Sequence, residues 1–111
     1  MQKTILITGV SNGFGKDSAL TMAAAGHRVF GTMRDPAGRN RDAAAILRAK
    51  GIDVVEMDVT QEASVDAAFG SVLHKTGGMH DVLVNNAGVM VQGISETIDG
   101  IGMRGLITLK V

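Results

Sequence analysis

The chain of 111 residues contains no cysteine, no tryptophan, no tyrosine and only one proline. Without cysteine there is no disulfide framework and no thiolate ligand for a metal. Without tyrosine, no mechanism confined to these residues can use a phenolic hydroxyl as its proton donor. An excess of one charge is lacking too: Lys+Arg and Asp+Glu each number 11, giving a net charge of zero. No basic stripe points to nucleic acid, and no charge block points to a disordered tail. Long apolar runs are also missing. The opening Met1–Ile7 is too short for a signal peptide or a membrane span, so no membrane partner is expected and cytoplasmic residence is the default expectation. His27, His74 and His80 fall at element boundaries with no metal-ligand spacing and read as surface histidines, so no metal site is expected. The seven methionines read as core filler.

What is present is an ordinary globular composition, 45% hydrophobic and 20% charged, long enough for one domain at most. The apolar pattern alternates between two kinds. Short continuous runs rich in β-branched residues predict strands buried on both faces at Thr4–Thr8, Arg28–Met33, Ile52–Met57 and Asp81–Asn85. Between them, helical spacing predicts helices over Gly13–Ala25, about Arg39–Lys50 and about Gln61–Lys75. Gly26, Gly51 and Gly77-Gly78 stand where such helices should stop. The alternation β-α-β-α-β-α-β with short loops predicts an α/β fold, a Rossmann-like doubly wound parallel sheet. Leu106–Val111 is a candidate fifth strand.

The first predicted strand runs directly into Thr8-Gly9-Val10-Ser11-Asn12-Gly13-Phe14-Gly15, and a helix follows. A turn from a buried strand into a helix N-terminus offers unpaired N–H groups and the positive end of the helix dipole, which together suit a pyrophosphate. Glycines permit the tight turn, the close approach of backbone to phosphate and tight helix–strand packing. The bland alternative is a glycine-rich turn without a ligand. Gly15-Lys16 suggests a nucleoside-triphosphate loop, but Gly9 and Gly15 are one residue too far apart for that motif. Asp17 also stands where it needs Ser or Thr to hold magnesium.

Two further motifs lie where a dinucleotide site would need them: Asp58-Val59 after the third strand, and Asn85-Asn86-Ala87-Gly88 ending the fourth. In order and on these element types, the three motifs resemble the short-chain dehydrogenase/reductase family over about residues 3–95, the N-terminal part of a family member. The resemblance implies that Gly9, Gly13 and Gly15 form the pyrophosphate loop, lined by Ser11, Asn12 and Phe14. It implies that the Asp58 side chain and Val59 backbone contact adenine. Asn86, Ala87 and Gly88 would border the adenine ribose and the route to nicotinamide, while Asn85 ties strands together. Without the resemblance, Asp58 reads as a helix-capping residue and Asn85-Asn86 as a turn.

Cofactor choice is read at the end of the second strand, where an acid favours a ribose 2′-hydroxyl and an arginine pairs with a 2′-phosphate. By the resemblance, Met33 occupies the usual place of the acid in NAD-preferring relatives, and Arg34 the place of the arginine in NADP-preferring ones. NADP is therefore expected over NAD, with Arg34 as the determinant. Asp35 should point elsewhere or pair with Arg34. Arg39 and Arg41 are outside candidates for the same phosphate, and a solvated loop charge is the bland reading of Arg34.

The resemblance also implies a hydride transfer between NADP(H) and a carbonyl or alcohol, using a Ser, a Tyr-x-x-x-Lys pair and an upstream Asn. The chain has no Tyr, no Asn after Asn86, and in Ser95 a last serine too close to the fourth strand. No catalytic residue is therefore assigned, and the chain alone is expected to be inactive. Residues 1–95 read as a dinucleotide-binding half-domain and 96–111 as an atypical tail, in which Gly100, Gly102 and Gly105 disfavour helix. A truncation or frame change near residue 99 would produce such a tail. The small-molecule substrate would then be bound only with a missing C-terminal half. An apolar strand-four edge, Val82-Leu83-Val84, would lie open and invite self-association. The alternatives to a truncated oxidoreductase are an inactive NADP(H)-binding or interaction module and a non-functional fragment.

Overall fold

In a computed structural model, which describes residues 2–77, 82–85 and 106–108, the elements follow the expected alternation. They are β1 (Thr4–Thr8), α1 (Gly13–Ala24), β2 (Arg28–Met33), α2 (Arg41–Ala49), β3 (Asp53–Glu56), α3 (Glu62–Thr76), β4 (Val82–Asn85) and β5 (Leu106–Thr108). All pairings are parallel, and the strand order is β3-β2-β1-β4-β5. This is a Rossmann-like α/β arrangement, and the order reverses its direction at β1, between β2 and β4.

Period-two alternation divides the core. Ile5, Ile7, Val29 and Met33 face one side, where Ala19 of α1 and Ala44 and Leu47 of α2 cover them. Leu6 and Phe30 face the other side, where Val65, Ala68, Phe69 and Val72 of α3 pack with Val55 and Met57. The last set recurs at i, i+3, i+4 and i+7, which is why α3 buries one stripe. Gly26, Gly51 and Gly77 all take positive φ just beyond the helices.

Two expectations need correction. The second helix begins at Arg41, not Arg39, because residues 35–40 fold into a turn in which the Gly38 and Asn40 N–H groups donate to the Asp35 carbonyl. The β4 edge is not open: Leu83, Val84 and Asn85 pair with Leu106, Ile107 and Thr108 of β5. A strand paired on both sides offers no unsatisfied ladder over these three residues. Of the anticipated fifth strand over Leu106–Val111, only Leu106–Thr108 is described.

Candidate functional site

Because the strands are parallel, their carboxyl ends share one edge of the sheet, and a cleft of about 660 Å³ opens there. It is lined by Gly9, Ser11, Asn12, Gly13 and Phe14 after β1, by Thr32, Met33, Arg34, Arg39 and Asn40 from the end of β2 onward, and by Met57, Asp58, Val59 and Thr60 after β3. Clefts of roughly 300–1,000 Å³ are the usual size for cofactor sites, and this edge is where open α/β sheets carry them.

The loop after β1 is held down by β2. The Gly9 N–H donates to Thr32 Oγ1 at 3.3 Å, and the Val10 N–H donates to the Thr32 carbonyl at 2.9 Å. Thr32 is buried, so these bonds lie away from competing water. The chain then turns through φ of 72° at Gly9 and 61° at Gly13, values that side-chain-bearing residues rarely adopt. Asn12 is the N-cap of α1 in extended conformation, yet its side chain makes no capping bond, and the first turn holds no acidic residue. In contrast, α2 and α3 carry Asp42 and Glu62 in their first turns. The amino end of α1 thus keeps its positive dipole end uncompensated beside the cleft, a place for an anion. Phe14, at 69% exposure the most exposed large hydrophobic among the described residues, stands on the same wall.

Across the cleft, Asp58 anchors the turn into α3. Its Oδ1 accepts from the Thr60 hydroxyl at 2.7 Å and the Thr60 N–H at 3.0 Å. Its own N–H donates to Ser64 Oγ at 2.9 Å. The Thr60 hydroxyl, then the Thr60 N–H and the charge of Arg34, hold the Asp58 carboxyl below the ordinary aspartate value, against the opposing effect of burial. Asp58 is therefore an anion at neutral pH. Both bonds to Thr60 fall on one oxygen, so a carboxylate's acceptor capacity is not exhausted by them.

Of the residues singled out from the sequence, Gly9, Ser11, Asn12, Gly13, Phe14, Arg34, Asp58 and Val59 border this one cleft. Gly15 does not line it and is buried in the first turn of α1. Asn86, Ala87 and Gly88 lie outside the described residues. The Asp35 carboxylate accepts from the Arg39 N–H at 2.9 Å, and Asp35 borders a smaller pocket together with Arg34 and Arg39. Arg39 reaches the cleft wall, whereas Arg41 is not part of it. Sequence reasoning missed Thr32, Asn40 and Gly31. Gly31 had a readable signal, since a glycine inside a strand marks a close approach. Among the described residues no group of three or more His, Cys, Asp or Glu could hold a metal, and no helix is long and apolar enough to cross a membrane.

A parallel sheet of this order, with a glycine turn leading into an uncapped helix at its carboxyl edge, defines the class of Rossmann-like doubly wound domains. Within that class, the chain belongs to the short-chain dehydrogenase family, whose model matches residues 3–105. The match runs past residue 95 into the stretch the sequence set apart as a tail. The chain is 40% identical over 90 residues to the short-chain dehydrogenase cctT of Talaromyces islandicus, covering 80% of this chain and 30% of that one. Two solved structures are similar as well. The NADPH-bound carbonyl reductase from chicken fatty liver matches with a TM-score of 0.72 and 31% identity, over 81% of this chain and 36% of that chain. The 3-ketoacyl-(acyl-carrier-protein) reductase from Brucella melitensis, complexed with NADH, matches with a TM-score of 0.65 and 35% identity, over 92% of this chain and 44% of that one.

Proposed function

We propose that this chain is the nicotinamide-dinucleotide-binding portion of an oxidoreductase, with NADP(H) preferred over NAD(H). One observation carries the reading: the uncapped amino end of α1 and the two arginines after β2 line the same cleft. The residues present fit a dinucleotide. The α1 terminus offers backbone N–H groups to a pyrophosphate, Arg34 and Arg39 offer charge to a 2′-phosphate, and Asp58 offers an acceptor to an exocyclic adenine amine. When bound, such a cofactor supplies or accepts the hydride exchanged with a carbonyl or alcohol.

The family membership and the names of the two solved relatives support a dinucleotide but not the choice between its two forms, since one relative holds NADPH and the other NADH. The choice rests on charge. Met33, at the end of β2, is apolar and buried, so no carboxylate there accepts from a ribose 2′-hydroxyl or repels a 2′-phosphate. The residues of this chain bind and orient. The chain spans about 30% of the length of the first curated relatives it matches, and the family's phenolic proton donor is not among its residues.

The test is direct titration of the chain with NADPH and with NADH, followed by the fluorescence of the reduced nicotinamide, with no tryptophan or tyrosine to interfere. Tighter binding of NADPH supports the reading. Tighter binding of NADH, unaffected by Arg34→Ala, contradicts it.

A further inference from the structure

We propose that Asp35 is a positioning residue for nucleotide selectivity: its carboxylate folds the turn that brings Arg39 to the cleft beside Arg34. This inference deepens the NADP(H) reading and rests on it. Asp35 is the one non-glycine residue with positive φ among those described, at 48°. Asp and Asn tolerate that region better than other side-chain-bearing residues because a short polar side chain can bond locally. Here Asp35 Oδ2 accepts from the Arg39 N–H at 2.9 Å. The Asp35 carbonyl accepts from the Gly38 N–H at 3.2 Å and the Asn40 N–H at 3.0 Å. The Asn40 side-chain amide in turn donates to the Arg34 carbonyl. The turn is thus tied at both ends, and the residues it joins, Arg34 and Arg39, both line the cleft.

Gly38 supplies an independent sign that the carboxylate belongs there. A Cβ on residue 38 would sit 2.6 Å from both carboxylate oxygens of Asp35. The space a side chain would fill is occupied by the carboxylate. An acid beside a proposed 2′-phosphate subsite would repel a second anion if it faced the ligand. Asp35 borders a smaller pocket together with Arg34 and Arg39, yet its carboxylate is engaged by the Arg39 backbone N–H, and selectivity then depends on two cations rather than one.

The experiment compares NADPH and NADH affinities of the wild-type chain with those of Asp35→Ala, Asp35→Asn and Gly38→Ala. Circular dichroism checks that each variant is folded. Asp35→Ala removes the acceptor, and Gly38→Ala displaces the carboxylate without removing it. Each should weaken NADPH binding by about fivefold to tenfold, the scale of losing one charge-assisted phosphate contact, while leaving NADH within about twofold. Asp35→Asn keeps an acceptor and tolerates the backbone conformation, so it should restore most of the selectivity. Equal losses for both nucleotides, or no loss in either variant, would overturn the positioning role while leaving the NADP(H) reading intact. A wild-type chain with no preference for NADPH would overturn both.

Discussion

Val10 occupies the space that a side chain at Gly31 would fill. A Cβ built on Gly31 would lie 2.6 Å from Val10 Cγ2 and 3.1 Å from Cγ1. The loop that leaves β1 is therefore seated on β2 by a missing side chain, and the two Thr32 bonds fix it there. Gly31→Ala should destabilise the chain by about 1–3 kcal/mol through overpacking. It should also weaken dinucleotide binding, because the loop must lift to make room. Urea unfolding checks the first effect. In a double-mutant cycle, Val10→Ala should recover part of the loss, since the contact and not the strand is at fault.

The amino end of α1 sets stability against binding. Asn12 does not cap the helix, and no acid occupies its first turn. Asn12→Asp adds a negative charge at the positive end of the dipole, which should stabilise the free chain by about 0.3–1 kcal/mol. The same charge meets the pyrophosphate and should weaken NADPH binding by more than about tenfold. Thermal unfolding and nucleotide titration of one variant read both signs. Loss of stability together with loss of binding would show that the side chain serves the helix instead.

Arg34 and Arg39 should divide the response to the 2′-phosphate. Arg34→Ala and Arg39→Ala are each expected to weaken NADPH binding by about tenfold, as for a charge-assisted hydrogen bond to phosphate, with little change for NADH. Raising the salt concentration should reduce the NADPH advantage in the wild type and less so in either variant. Competition titrations at two ionic strengths check this.

Asp58 makes a pH-dependent contribution whose sign follows from its lowered pKa. A carboxyl whose pKa is depressed on folding stabilises the folded state fully above its unfolded value, about 3.9 for aspartate, and that stabilisation is lost as pH falls through the folded value. Asp58→Asn keeps an acceptor oxygen for Thr60 but has no charge to lose. The stability gap between wild type and this variant should be constant from neutral pH down to about 4 and narrow below it. Urea unfolding across that range measures it, and a gap unchanged at lower pH would contradict the assignment.

Much of this was legible in the chain because the signals are local. The bounds of β1 and β2 follow from continuous β-branched runs, and α3 follows from the i, i+3, i+4, i+7 spacing that ends on Val72. The glycine loop could be placed because it sits between two such elements. The exact start of α2 is not legible from the spacing of Ala43, Ile46 and Leu47, because the Asp35 carbonyl and carboxylate hold Arg39 and Asn40 in a turn that no periodicity reveals. Thr32 was invisible for another reason. Its hydroxyl matters only because Gly9 lies beside it, a neighbour separated by more than twenty residues in sequence. The expectation of an open β4 edge failed likewise, since pairing with β5 is a non-local contact.

The most direct test of the dinucleotide site is an NMR titration of the isotope-labelled chain with NADPH, following the backbone amides. Saturable shifts concentrated at Gly9–Gly15, Arg34–Asn40 and Asp58–Thr60 are the predicted result. Shifts confined to other surfaces, or none at saturating nucleotide, would contradict the account.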